Sequence, residues 1–180
     1  SQEQRMKEVK IKGTTVQVLA GDVTDMEVES FVFYASEDLK LGTGYGAAIA
    51  MRAGPSVQKA LDAVGSAVQG QVVVTEAGEM KAKHILHAVG PKFLEADTPT
   101  KLKTTMANCF KTAEEKGFKE LAMPPLGCGF YGLPLDQCAD LMLEAVGEYC
   151  KGDAKLERVL IVGRDNREYK PFEARIGNLG

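Results

Sequence analysis

What most constrains this chain is how often its apolar period changes. Segments alternating at two residues give way to segments repeating at three and four, then return, over nearly the whole length. Such switching is the mark of a layered α/β domain, because each strand must bury a face and each helix a stripe. Val9–Gly13 and Thr15–Leu19 read as strands joined by a hairpin turn at Gly13 and Thr14, and Phe31–Ala35 reads as a buried strand. A helix is predicted from Ala47 to Val64, divided at Gly54-Pro55. Val72–Thr75 and His84–Ala88 are strands. Leu102, Met106, Cys109, Phe110 and Ala113 lie on one stripe of a helix from about Thr100 to Lys116, ended by Gly117. The strand Glu120–Met123, a helix reaching about Tyr149, the strand Arg158–Val162 and a helix from Asn166 to Ile176 complete the order.

The 180 residues suit a single domain, and no linker, repeat or low-complexity tract divides them. Residues 1–7 read as a frayed or non-native end. With 22 Lys and Arg against 25 Asp and Glu, the net charge of -3 argues against a broad cationic face for nucleic acid. The apolar runs are far shorter than the ~20 residues of a membrane span, and no secretion signal is evident. The expectation is a cytoplasmic protein with Cys109, Cys128, Cys138 and Cys150 as free thiols. No Cys-x-x-Cys pair suggests zinc, so no metal and no cofactor are expected.

Chemistry concentrates in two glycine-rich loops, Leu41-Gly-Thr-Gly-Tyr-Gly46 and Leu126-Gly-Cys-Gly-Phe-Tyr-Gly132, each between a buried strand and a helix. Residues without Cβ let backbone N–H groups converge on an anion, and the following helix adds the positive end of its dipole. Either loop alone reads equally well as a permissive turn; two together favour phosphate. Gly42-x-Gly44-x-x-Ala47, with Asp62 further on, has the spacing of a dinucleotide fingerprint, but the loop before Gly42 is too long and Asp62 falls inside a helix. Neither loop carries the Gly-Lys-Ser/Thr of a P-loop. Asp22, in Gly21-Asp-Val-Thr24, follows a strand; it reads either as a cap or as an acceptor for an exocyclic amine such as that of adenine.

Taken in order, Gly21–Thr24, Ala48–Gly54, Ile85–Pro91 and Ala122–Pro134 resemble the macrodomain family, from about Val16 to Phe172. The resemblance implies a three-layer α/β/α sandwich with a mixed, mostly parallel sheet, and a site for ADP-ribose or a related nucleotide, free or attached to protein. It assigns Asp22 to the adenine amino group, with the Val23 backbone beside the ring. Gly42, Thr43, Gly44, Tyr45 and Gly46 then line the diphosphate and distal ribose, near Ala35. Leu126, Gly127, Cys128, Gly129 and Phe130 hold the phosphates, and Tyr131 walls the distal ribose. Arg164 stands where relatives place an aromatic over adenine.

The departures are informative. Phe33-Tyr-Ala-Ser36 replaces the Asn-Ala-Ala-Asn of catalytic branches, Gly46 replaces an acid, and Ala50 and Met51 replace a basic residue. No catalytic residue is therefore assigned, and the expectation is a monomeric binder with little or no hydrolase activity. The alternatives are a divergent ADP-ribosyl or O-acetyl-ADP-ribose hydrolase, and an interaction module with a vestigial pocket. Glu37 or Asp38 is the candidate substitute base. Cys128 at a helix N-terminus is the candidate nucleophile, set against the simpler reading that a small side chain is required there. His84 and His87 fall on opposite faces of one strand and cannot share a metal. Tyr34 and Tyr45 are candidate pocket walls, and Phe33 is placed to reshape the distal-ribose end.

Overall fold

The computed structural model describes residues 5–92, 95–128 and 132–179. Seven strands form one sheet: β1 (Met6–Ile11), β2 (Thr14–Ala20), β3 (Ser30–Ala35), β4 (Val72–Glu76), β5 (His84–Val89), β6 (Glu120–Met123) and β7 (Arg158–Gly163), in the order β1-β2-β7-β6-β3-β5-β4. The pairings β2–β7, β7–β6, β6–β3 and β3–β5 are parallel, whereas the edge pairs β1–β2 and β5–β4 are antiparallel. The helices are α1 (Tyr45–Ala53), α2 (Ser56–Val64), α3 (Thr98–Glu115), α4 (Leu135–Lys151) and α5 (Asn166–Ile176).

The sheet is covered on both faces, which is why its central strands are continuous apolar runs. Along β7, Val159 and Ile161 pack with Leu102, Phe110, Met142 and Phe172 of α3, α4 and α5. Leu160 and Val162 face the other way, onto Ile49, Val57 and Leu61 of α1 and α2. The layered α/β domain read from the apolar periodicity, and the three-layer sandwich that the family resemblance implied, are the architecture found.

Three local expectations are corrected. The first hairpin turns at Lys12-Gly13, with Lys12 at φ 54°, not at Gly13-Thr14, because Thr14 is drawn into β2 by its buried hydroxyl, which donates to the Leu156 carbonyl at 2.6 Å. Strand β1 starts at Met6, paired to Leu19, inside the segment expected to fray. Helix α1 begins at Tyr45, two residues earlier than predicted, while Gly54 at φ 78° separates it from α2 as the Gly-Pro pair foretold.

The topology places the site. Successive parallel strands progress from β3 toward β5 on one side and from β6 toward β7 on the other. The connection after β3 runs to α1 on one face, and the connection after β6 runs to α4 on the opposite face. A crevice opens at the carboxyl ends of β3 and β6, where open α/β sheets bind their ligands.

Candidate functional site

A cavity of about 1050 Å³ occupies that crevice. Its walls bring together Ala35 at the end of β3, Thr43, Gly44 and Tyr45 of the first loop, and Gly127 and Cys128 of the second. Each wall has a local cause. Gly44 adopts φ 59°, ψ −127°, a conformation poorly suited to a side chain, and delivers the chain into α1 with no side-chain cap. Gly127 sits at φ 73°, and its carbonyl accepts from Leu133 N–H at 2.7 Å, closing the second loop on itself. Gly132 is required by that closure: a Cβ there would lie 2.3 Å from the Gly127 oxygen and 2.5 Å from the Cys128 Cα. Helix α4, entered through Pro134, also lacks a side-chain cap. Both loops thus lead to helix starts whose first N–H groups have no side-chain acceptor.

The remaining predicted residues fall differently. Gly42 is exposed and outside the cavity wall, and Gly46 is buried behind it. Leu126 is also buried, its N–H directed to Met142 Sδ at 3.1 Å. Asp22 follows β2 and does not line the cavity. Its Oδ1 accepts from the Thr24 amide at 2.9 Å and the Thr24 hydroxyl at 2.6 Å, and its Oδ2 lies 3.4 Å from Arg52. It is a cap of the short 3-10 turn at Val23–Asp25, with Val23 buried beside it. Gly129, Phe130 and Tyr131 lie outside the described residues.

Phe33 lines the cavity next to Tyr34, and its Cζ stands 3.2 Å from where a Cβ on Gly46 would project. The aromatic at 33 and the missing side chain at 46 therefore fit one another. Tyr34 donates its hydroxyl to the Pro91 carbonyl. Burial, reinforced by the charge of Glu95, pushes the Tyr34 phenol above its ordinary range, so it remains a donor at neutral pH. Burial likewise raises the Tyr45 phenol. Arg164 stacks on the Tyr45 ring, 5.2 Å from its centroid, and pairs with Glu168 at 3.1 Å. Its guanidinium thus lies against an aromatic of the first loop while lining the cavity.

Of the two candidate bases, only Glu37 faces the cavity, and it is 3.1 Å from Lys92 Nζ. Asp38 turns back on its own loop. The Ser36 hydroxyl, with the Lys40 amide, holds its carboxyl below the usual range. Cys128 lines the cavity, but α4 begins only at Leu135, so its place is within the loop and not at a helix N-terminus. The histidines divide as expected: His84 packs on Phe118, and His87 is buried with Nε2 2.9 Å from the Thr75 hydroxyl.

The residue pattern missed Lys92, Glu95, Arg167 and Glu168 as cavity walls. The first two follow the apolar strand end Ala88-Val-Gly-Pro91, and the last two open α5 beyond β7. Position after a parallel strand was the available signal. Among the described residues, no group of three or more His, Cys, Asp or Glu side chains could hold a metal ion, and no helix is long and apolar enough to cross a membrane.

Comparison with known proteins accords with this architecture. The family model described as Macro domain matches residues 34–142. The chain is 33% identical over 164 residues to an O-acetyl-ADP-ribose deacetylase of Enterobacter sp. (strain 638), covering 88% of this chain and 91% of that one. A macro domain-containing protein of Cupriavidus necator is 30% identical over 172 residues, covering 92% and 99%. Among solved structures, the Oceanobacillus iheyensis macrodomain with ADP superposes with a TM-score of 0.92 at 21% identity, covering 99% of this chain and 98% of that one.

Proposed function

The chain belongs to the macro domain family, and on that premise we propose that it binds ADP-ribose or a closely related nucleoside diphosphate, free or protein-attached, with little or no hydrolysis. One observation carries the reading: two glycine-bearing loops from opposite faces of the sheet, Thr43–Tyr45 and Gly127–Cys128, line a single cavity at the switch point. Main-chain N–H groups and two helix starts then face the diphosphate, aided by Arg164 and Arg167 on the same wall. In this reading the Asp22 carboxylate accepts the adenine amine through Oδ2, which it shares with Arg52 at 3.4 Å. The ADP in the Oceanobacillus structure supports the ligand class.

The preference for binding over turnover rests on Phe33 and Gly46 standing where the family resemblance leads one to expect an asparagine and an acid, and three of the four carboxylates on the cavity wall are paired with cations. Glu37 pairs with Lys92, Glu95 with Lys101 at 2.7 Å, and Glu168 with Arg164. Lys101, with Gln69, holds the Glu95 carboxyl below the usual range and makes it a weaker proton acceptor, and general-base assistance is worth about 10²–10⁴-fold. The named activity of the Enterobacter relative favours hydrolysis as the second reading.

Calorimetric titration with ADP and ADP-ribose tests the proposal. Saturable heat is expected from the wild type. Thr43→Glu should weaken binding about ten-fold or more, because it sets a like charge against the diphosphate at an exposed position that leaves the fold intact. Silence with both nucleotides would leave the cavity without the assigned ligand. Turnover of a mono-ADP-ribosylated protein well above the buffer rate would overturn the preference for binding and establish the second reading.

A further inference from the structure

Sulfur gathers beneath the second glycine loop. Cys138, in the first turn of α4, places its Sγ 3.0 Å from Cys128 Sγ and 3.0 Å from the Leu126 carbonyl oxygen. Met142, one turn on, has its Sδ 3.6 Å from Cys138 Sγ and 3.1 Å from the Leu126 amide. The loop is thus fastened to α4 through side-chain sulfur on both polar groups of Leu126. The four cysteines are not equivalent. Cys109, Cys138 and Cys150 are buried, whereas Cys128 is half-buried and lines the cavity.

We propose that Cys128 and Cys138 form a redox-active dithiol in which the cavity-facing Cys128 reacts with a peroxide and the buried Cys138 completes a reversible disulfide between the second loop and α4. Geometry supplies the asymmetry. Cys128 opens on the cavity, where a solute reaches it, whereas Cys138 is buried with its Sγ 3.0 Å away, and access is part of what makes a cysteine react. Contact with Cys128, together with burial, pushes the Cys138 thiol up and keeps it protonated until the second step. A disulfide needs the sulfurs at about 2.0 Å. From 3.0 Å, an approach of about 1 Å suffices, within reach of side-chain rotation and small loop movement.

The chemistry balances. The Cys128 thiolate attacks one oxygen of hydrogen peroxide; the O–O bond breaks, hydroxide leaves, and Cys128 becomes a sulfenic acid. Cys138 sulfur then attacks Cys128 sulfur; the S–S bond forms and the S–O bond breaks. The departing hydroxide takes the Cys138 proton as water. Two thiols lose two electrons and two protons in all, and the peroxide is reduced to two waters. A thiol reductant reverses the bond by exchange. Oxidation also removes the one Cys138 S–H, which lies within reach of both the Leu126 carbonyl and Cys128 Sγ, so the loop exchanges that tie for a covalent one. If the phosphate reading is right, ADP affinity should fall about five-fold, the worth of one hydrogen bond.

The test uses the full chain, reduced and then exposed to hydrogen peroxide, with residual thiols alkylated under denaturing conditions and peptides identified by mass spectrometry. The expected product links the Cys128 and Cys138 peptides, leaves Cys109 and Cys150 alkylated, and reverts with dithiothreitol. In Cys138→Ser, the Cys128 sulfenic acid should persist and be trapped by a dione probe. Cys138→Ala serves the same purpose if a buried hydroxyl prevents folding. Both thiols alkylated after peroxide, a link to Cys109 or Cys150, or a wild-type Cys128 that overoxidises without linking would each overturn the dithiol. ADP titration separates the two readings. A linked protein whose ADP affinity matches the reduced form refutes the coupling to the cavity. Linkage without ADP binding in either state refutes the nucleotide reading and leaves the dithiol standing.

Discussion

At the scale of single residues, the sharpest demand falls on Gly132. Its absent Cβ makes room for the Gly127 carbonyl and the Cys128 Cα, both backbone atoms that cannot rotate away. Gly132→Ala should therefore cost about 1–3 kcal/mol in urea unfolding and should lower ADP affinity, since the loop can no longer close on Leu133. His87 makes a second prediction. Burial pushes its imidazole down to about 4 from the ordinary 6.5, so the folded state holds it neutral while the unfolded chain protonates it below about pH 6.5. The unfolded state then binds more protons, and stability falls as pH drops from about 6.5 toward 4, by as much as ~3 kcal/mol in total. Below about 4 the loss levels off. Urea titrations across that window should show the slope in the wild type and its loss in His87→Gln. Sequence legibility is uneven at this scale. Glycine spacing exposed both loops because the need for an absent side chain is local. Asp22 was ambiguous because the same carboxylate suits a cap and an amine, and only the positions of Thr24 and Arg52 decide what its oxygens already hold.

At the scale of elements, most segments were visible because burial on two faces writes itself as apolar runs, and burial on one writes itself as a stripe. The strand Glu120–Met123 and the helix Asn166–Ile176 lie where periodicity put them. Errors gathered at element ends, where turn chemistry competes with pairing: Thr14 went to the strand and not the turn, because its hydroxyl had a distant partner in Leu156. Helix α5 shows an end that was set locally. Asp165 Oδ1 accepts from the Glu168 amide at 3.0 Å, and Glu168 in turn accepts from the Arg164 amide at 2.8 Å. Asp165→Ala should cost about 1 kcal/mol by denaturant unfolding. It should also loosen Arg164 from its stack on Tyr45, read as an altered Tyr45 environment in aromatic NMR shifts.

At the scale of the whole molecule, the nucleotide reading ties ligand to stability. A ligand that binds only the folded state contributes RT ln(1 + [L]/Kd), about 2.7 kcal/mol at a hundred times Kd. For a chain of this size, each kcal/mol raises Tm by about 2–4 °C, so saturating ADP should raise the melting temperature by roughly 5–10 °C. An unmoved transition would contradict tight binding. Strand order was the part of the fold least legible in sequence, since nothing local to β2 announces that its parallel neighbour is β7, with Val16 set against Val159 and Val18 against Ile161. That pairing also governs assembly on the ribosome. When the first hairpin emerges, one side of β2 has no companion until the C-terminal stretch has been synthesised, so an early-folding half with an open strand edge must wait for its last pieces. Nascent chains stalled before Arg158 should stick to one another or to chaperones, and chains released with β7 and α5 complete should not.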